Sequence, residues 1–168
     1  MNGHLTSWYS HWRWILIGVG FPVLVATWWA FRPEKLWVNQ KVNEAAPFAS
    51  STDPQPLYTG RLEGKAHQTT GRATIYSSAD GKQYLRLTDF STSNGPDVHV
   101  YLVAAPDAKD DATVKNAGFV DLGSMKGNVG DQNYDVPSSV DLARYQAVTI
   151  WCARFNVNFA TAPLTASN

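Results

Sequence analysis

One cysteine and two histidines are the side chains best suited to redox or ligand chemistry in the C-terminal part of this 168-residue chain. Cys152 is the single cysteine, which excludes an internal disulfide and a four-cysteine zinc or iron–sulfur site within one chain. A thiolate can act as a redox group, and both thiolates and imidazoles ligate cofactors. We therefore take Cys152 as the candidate redox thiol, and His67, His99 and Cys152 as the candidate cofactor-binding residues.

A mononuclear copper site is one way in which these residues could act together. Blue copper proteins use two histidines, one cysteine and a weak thioether, and Met125 completes that set. The copper proteins that use this set keep Cys, His and Met close together on one late loop, whereas here they are spread along the chain. No C-x-x-C-H motif for haem attachment is present, although axial ligation by a histidine stays open. We assign no metal, and the cofactor is unknown.

The alternative role for Cys152 is structural. A free cysteine usually behaves as a small buried hydrophobe. Its neighbours Trp151 and Ala153 are apolar, which makes a thiol less reactive, and Arg154 is the one adjacent cation that would favour a thiolate. The sequence leaves both roles open.

The strand pattern changes phase next to this cysteine. Val148, Ile150 and Cys152 share one parity, and Phe155, Val157 and Phe159 share the other. Because strand side chains alternate between faces, the change of phase requires a bulge or bend, and we place it at Ala153–Arg154.

From Leu57 onward the chain consists of short alternating apolar runs separated by turn signals such as Asp80-Gly81. Residues Ala105–Asn116 are polar and predict a surface excursion with one helical turn. The pattern predicts an all-β fold, an antiparallel β-sandwich over residues 57–168. The predicted strands are Leu57–Glu63, Gly71–Tyr76, Gln83–Phe90, Asp97–Ala104, Gly118–Leu122, Tyr134–Val136, Ala147–Cys152 and Phe155–Ala160.

The N-terminal segment, residues 1–35, has a different character. Trp14–Phe31 contains no charged residue. Its length is close to the about 20 apolar residues that a helix needs to cross the bilayer core. Tryptophans near both ends are typical of the membrane interface. A cleaved signal peptide would have a shorter apolar region ending in a small-x-small site. We therefore predict one retained transmembrane helix.

Residues 36–56 contain Pro47, Pro54 and Pro56 and lack a periodic apolar face. This composition predicts a flexible linker between the anchor and the β-domain.

The charges bear on partners and on topology. Basic and acidic residues balance at 14 each, so nothing in the net charge favours a nucleic-acid partner. Arg32, Lys35 and Lys41 outnumber Arg13 and the terminal amine, which by the positive-inside tendency places the C-terminal side in the cytoplasm.

Three segments resemble the DM13 domain: GPDVHVYL (Gly95–Leu102), DLGSMKGNVGDQNYDVP (Asp121–Pro137) and VTIWCARFNVNFATAPL (Val148–Leu164). The resemblance covers Leu57 to Leu164. It implies an all-β module in which the single cysteine takes part in electron transfer. It also implies an extracytoplasmic location, periplasmic or extracellular, and on topology we follow it rather than the charge count.

Two functions stay open at this point. One is a membrane-anchored, extracytoplasmic redox or electron-transfer module that uses Cys152 together with a redox partner protein or a small ligand. The other is a non-catalytic ligand- or protein-binding β-sandwich in which Cys152 belongs to the core. Neither G-x-S-x-G nor H-E-x-x-H is present to support hydrolysis.

Overall fold

The computed structural model describes residues 18–29, 38–47 and 54–167. The chain divides into two units, Met1–Lys35 and Leu36–Asn168. In the first unit, residues 18–29 form helix α1, while residues 14–17 and 30–31 of the predicted anchor lie outside the described residues. Among the described helices, none combines the length and the apolarity needed to cross a membrane. The anchor stays a prediction from the sequence.

The described residues of the second unit form ten strands and a short helix. In chain order they are β1 (Gln55–Arg61), β2 (Glu63–Gly64), β3 (Thr70–Ser77), β4 (Gln83–Ser91), β5 (Val98–Val103), α2 (Asp111–Ala117), β6 (Phe119–Ser124), β7 (Gln132–Val136), β8 (Ala147–Cys152), β9 (Val157–Pro163) and β10 (Thr165–Ala166). They form two antiparallel five-stranded sheets with the orders β10-β1-β3-β4-β7 and β2-β9-β8-β5-β6. The predicted antiparallel β-sandwich is confirmed.

The main core lies between the two sheets. Alternate residues of each strand point inward, and the first sheet contributes Ile75, Leu85 and Leu87 with none of their surface exposed. Val100 and Ile150 of the second sheet pack against the same cluster. Burial of this apolar surface is the main force that holds the sheets together.

A second, smaller cluster covers the outer face of the second sheet. Tyr101 and Trp151 point away from the main core and pack with Val114 of α2. Asp110 caps the N-terminus of the helix, because its side chain accepts a hydrogen bond from the Thr113 amide at 2.7 Å. The predicted helical excursion is therefore confirmed, and β5 is buried on both faces.

Most strand ends differ from the prediction by one to three residues, β10 was not predicted, and two of the differences are informative. The predicted strand Leu57–Glu63 is divided, because the chain passes from the first sheet to the second at Leu62 and continues as β2. The predicted strand Phe155–Ala160 begins later, at Val157. Local alternation cannot locate a crossover between sheets, since the residues on either side of it look equally strand-like.

Residues 38–47, which we call the docked segment, correct the prediction of a flexible linker. The Val42 amide donates to the Val129 carbonyl at 2.9 Å, and the Glu44 amide donates to the Asp131 carbonyl at 2.9 Å. The Glu44 carboxylate also contacts the Lys126 ammonium at 2.8 Å. These contacts are backbone and polar ones, which apolar periodicity does not register. Residues 36–37 and 48–53 of the predicted linker lie outside the described part of the chain.

Candidate functional site

Cys152 is the last residue of β8 and lies inside the main core. It is paired with Val98 of β5 on one side and with Val157 of β9 on the other. Its exposed fraction is 0%, and it belongs to the inner apolar cluster. A fully buried, apolar setting makes a thiol less reactive towards reagents in solution. The side chain is therefore placed to act within the protein, not as a surface nucleophile.

The bulge or bend predicted at Ala153–Arg154 is found as a turn. Those residues belong to a tight turn that joins β8 to β9, so the change of phase comes from a reversal of the chain. Asn156 in this turn has a φ of 55°, and Phe155 is 65% exposed. The register shift lies instead between Ile150 and Trp151, and it leaves Phe159 as the extra residue on β9.

His99 lies on the opposite face of the second sheet from Cys152, since its cross-strand partner is Trp151. Its Nδ1 lies 2.9 Å from one carboxylate oxygen of Asp121, and its Nε2 lies 3.2 Å from the Asp97 carboxylate. Partial burial lowers the pKa of His99, but the hydrogen bonds and charges of Asp121 and then Asp97 outweigh it, so the pKa is raised. The protonated ring satisfies both contacts, because each nitrogen then has a proton to donate.

His67 lies in the turn between β2 and β3. Its Nδ1 is 2.6 Å from the Ser93 hydroxyl. Its ring packs against Phe159, a member of the main core, with the ring centroids 3.8 Å apart. Both contacts position the imidazole at the margin of the inner cluster.

The structure therefore does not gather the predicted residues into one ligand sphere. Cys152 and His99 lie on opposite faces of one sheet, and His99 has carboxylates at both nitrogens. Met125 packs against the inner cluster, on the same side as Cys152. Within residues 18–29, 38–47 and 54–167, no group of three or more His, Cys, Asp or Glu side chains is arranged to hold a metal ion.

Comparison with known proteins decides the family. A family model described as electron transfer DM13 matches residues 61–164. The chain belongs to the DM13 family. The match includes Cys152, His67 and His99, and it excludes the docked segment. No curated protein and no solved structure matches the chain.

The DM13 domain carries a row of aromatic side chains that the sequence did not reveal. Trp151 lies 6.4 Å from Tyr101 between ring centroids, and Tyr101 is stacked on Phe119 at 4.3 Å. We call these three residues the aromatic row. It runs from Trp151, which is 4% exposed and bonded directly to Cys152, to Phe119, which is 46% exposed. The sequence offers one signal for this row: alternation in the predicted strand Asp97–Ala104 places Tyr101 on the face opposite to Val100. Its partners come from β6 and β8 and depend on the strand register.

The loop between β6 and β7 is held by two buried amide side chains. Gln132 is fully buried, and its Oε1 accepts a hydrogen bond from the Tyr134 hydroxyl at 2.8 Å. Burial raises the pKa of Tyr134 to about 12, so its hydroxyl keeps the proton that it donates. Asn128 donates to the Thr92 carbonyl at 3.0 Å and accepts from the Gln40 amide of the docked segment at 2.7 Å. These residues lie in one of the three segments that carry the DM13 resemblance.

Proposed function

We propose that this DM13 domain takes part in electron transfer with a redox partner protein, and that Cys152 and the aromatic row form its internal path. The observation that carries the proposal is the position of Cys152, which joins the inner core to the aromatic row through its peptide bond to Trp151. Tryptophan and tyrosine are the most readily oxidised aromatic side chains, and short gaps between them favour electron tunnelling. The exposed ring of Phe119 ends the row at the surface.

Because Cys152 is buried, its redox function must not depend on direct contact between the thiol and a partner molecule. A thiol that exchanges disulfides must meet its partner directly as a thiolate. An electron can instead reach a buried group across a few ångströms of protein. The proposal therefore assigns Cys152 to electron transfer within the domain and not to thiol–disulfide exchange.

A binding module with a structural cysteine is the second candidate function. It is favoured by one specific observation, the complete burial of Cys152 in the apolar cluster. In that function the thiol fills space, as buried cysteines usually do. The two candidates make different predictions for the same variant.

The decisive test replaces Cys152 with alanine in the full chain. Electron transfer predicts that the wild type shows a bound chromophore or a reversible voltammetric response, and that Cys152→Ala loses it. The variant should remain folded, with a stability loss of about 1–2 kcal/mol, because the missing sulfur leaves only a small cavity. Absorption spectroscopy, voltammetry and urea unfolding measure these outcomes.

A matched control is Phe155→Leu, which changes an exposed residue of the adjacent turn and should leave the redox response intact. Trp151→Phe should slow electron transfer without removing Cys152. If the wild type shows neither chromophore nor reversible response, and its thiol reacts only on unfolding, the binding module replaces the redox function.

We also propose that Trp14–Phe31 anchors the chain in a membrane as a single span, with the DM13 domain on the extracytoplasmic side. The uncharged run and its flanking tryptophans support the span, and the family resemblance supports the orientation. Mass spectrometry of the membrane fraction should detect the intact N-terminus. Protease added to sealed cells should remove the domain. Protection of the domain until lysis would instead place it in the cytoplasm, as the charge count suggests.

A further inference from the structure

Two arginines lie directly opposite each other on the outer face of the first sheet. Arg61 ends β1 and is the cross-strand partner of Arg72 on β3. Residues paired in this way project from the same face, with Cβ atoms about 4.5–5.5 Å apart. Like charges at such a pair destabilise a sheet, and a negatively charged group bound between them would offset the repulsion.

No such partner is found within the described part of the chain. The ion pairs there use other cations, and neither Arg61 nor Arg72 lies within 4.0 Å of a carboxylate oxygen. Both side chains are exposed. The pair therefore offers two guanidinium groups with free donors to an external anion.

The two arginines line an open pocket of about 400 Å³. Its other lining residues are Leu62, Thr69, Thr70, Gly71 and Asp89. The pocket is shaped by a β-bulge, since the register of β3 against β4 shifts between Thr70 and Arg72. At this bulge Gly71 has a φ of 126°, and a Cβ there would lie 2.9 Å from the Cα of Phe90, so only glycine keeps the local backbone unstrained.

We propose that the pocket between Arg61 and Arg72 binds a phosphate group, either free or as the ester of a small molecule. Two guanidinium forks provide bidentate, charge-assisted hydrogen bonds, which suit the oxygens of phosphate. A phosphate group carries about −1.5 to −2 charges at pH 7 and so matches two arginines better than a carboxylate does. Asp89 also lines the pocket, and its negative charge weakens the binding of an anion there.

A second pocket of similar size shows why the arginine pair is distinctive. That pocket, of about 470 Å³, is lined by Lys82, but the Lys82 ammonium already pairs with Asp80 at 3.1 Å. Asp135 adds a further negative charge to its lining. Its one cation is neutralised by the protein itself, so Lys82 provides a matched control site.

The test measures binding to the full chain by isothermal titration calorimetry, with inorganic phosphate, glycerol phosphate and acetate at matched ionic strength. Wild type should bind phosphate saturably, and acetate at least about tenfold more weakly. Arg61→Gln and Arg72→Gln should each weaken phosphate binding by about tenfold or more, and the double variant should abolish it. Tighter binding of glycerol phosphate than of inorganic phosphate would identify an ester as the ligand.

Two further variants separate the site from a general charge effect. Lys82→Gln removes the same charge at the far end of the β3–β4 hairpin and should leave phosphate affinity unchanged. Asp89→Asn keeps a residue that tolerates the positive φ of 50° found there and should tighten binding several-fold. Thermal unfolding without ligand should show both arginine variants at least as stable as wild type, because like-charge repulsion is relieved.

The proposal fails if wild type shows no saturable phosphate binding, or if Lys82→Gln weakens binding as much as the arginine variants do. Equal affinity for acetate and phosphate would overturn the assignment to a phosphate group.

Discussion

Replacing Gln132 with leucine is expected to destabilise the DM13 domain by about 4 kcal/mol, because several buried backbone and side-chain groups lose their partner at roughly 1–3 kcal/mol each. The Gln132 amide accepts hydrogen bonds from the amides of Lys126 at 3.1 Å and Gly127 at 3.3 Å, and donates to the Gly127 carbonyl at 2.7 Å. Its Oε1 also accepts a hydrogen bond from the Tyr134 hydroxyl. Leucine has a similar size but offers none of these contacts.

Urea unfolding followed by circular dichroism measures this loss of stability. Gln68→Leu is the matched control, since Gln68 is exposed and its replacement should change the free energy of unfolding by less than about 0.5 kcal/mol. A loss below about 1 kcal/mol for Gln132→Leu would mean that the loop rearranges and satisfies its polar groups in another way.

Replacing Arg86 with methionine is expected to cost about 3 kcal/mol and to release the docked segment, because a largely buried cation is removed from its partners. The Arg86 guanidinium lies 2.6 Å from the Asp131 carboxylate and 2.7 Å from the Asn133 side-chain oxygen. It also donates to the Glu44 carbonyl at 3.1 Å. The Arg86 side chain is only 11% exposed. The Asp131 side chain is 33% exposed, so the expected cost lies at the lower end of the range for buried pairs.

Hydrogen exchange at the Val42 and Glu44 amides reports on the docked segment, since both amides are bonded to the domain. Their exchange should accelerate more in Arg86→Met than the fall in global stability explains. Arg144→Met provides the control, because Arg144 is exposed and its guanidinium lies over the ring of Tyr145, 5.6 Å from the ring centroid. Unchanged protection at Glu44 in Arg86→Met would show that the segment is held without Arg86.

The docked segment shows that the structural unit is longer than the region that matches the DM13 family. It lies outside residues 61–164, which match the DM13 family, yet it belongs to the same structural unit as the domain. Its contacts converge on the loop between β6 and β7, where Asn128 and Lys126 hold it. The stability of that loop and the attachment of the segment are therefore linked.

The groups around Cys152 determine which variants test the electron-transfer proposal. The hydrogen bonds of both histidine rings go to other groups, since His67 is bonded to Ser93 and His99 to two carboxylates. The roles of both histidines as cofactor ligands stay predictions. Trp151 is the group next to Cys152 that leads outward, which is why the variants at Cys152 and Trp151 test the path most directly.

The sequence by itself determined the class of fold and the direction in which many side chains point. Alternation of apolar residues predicted the sandwich, and it placed Val100 and Tyr101 on opposite faces of β5, as observed. The Asp80-Gly81 pair predicted the turn between β3 and β4, where Gly81 has a φ of 81°. These features depend on the chain's own local geometry and on burial, so a short segment contains the information.

Only the tertiary structure decided which residues meet. The pairing of Arg61 with Arg72, the carboxylates on both sides of His99, and the contact of Tyr101 with Trp151 all follow from strand register and strand order. Register is set by the sum of many contacts between segments distant in the chain, and a shift of one residue would move each of these side chains to the other face. The docking of residues 38–47 likewise depends on hydrogen bonds that have no apolar period, which is why its composition alone suggested a free linker.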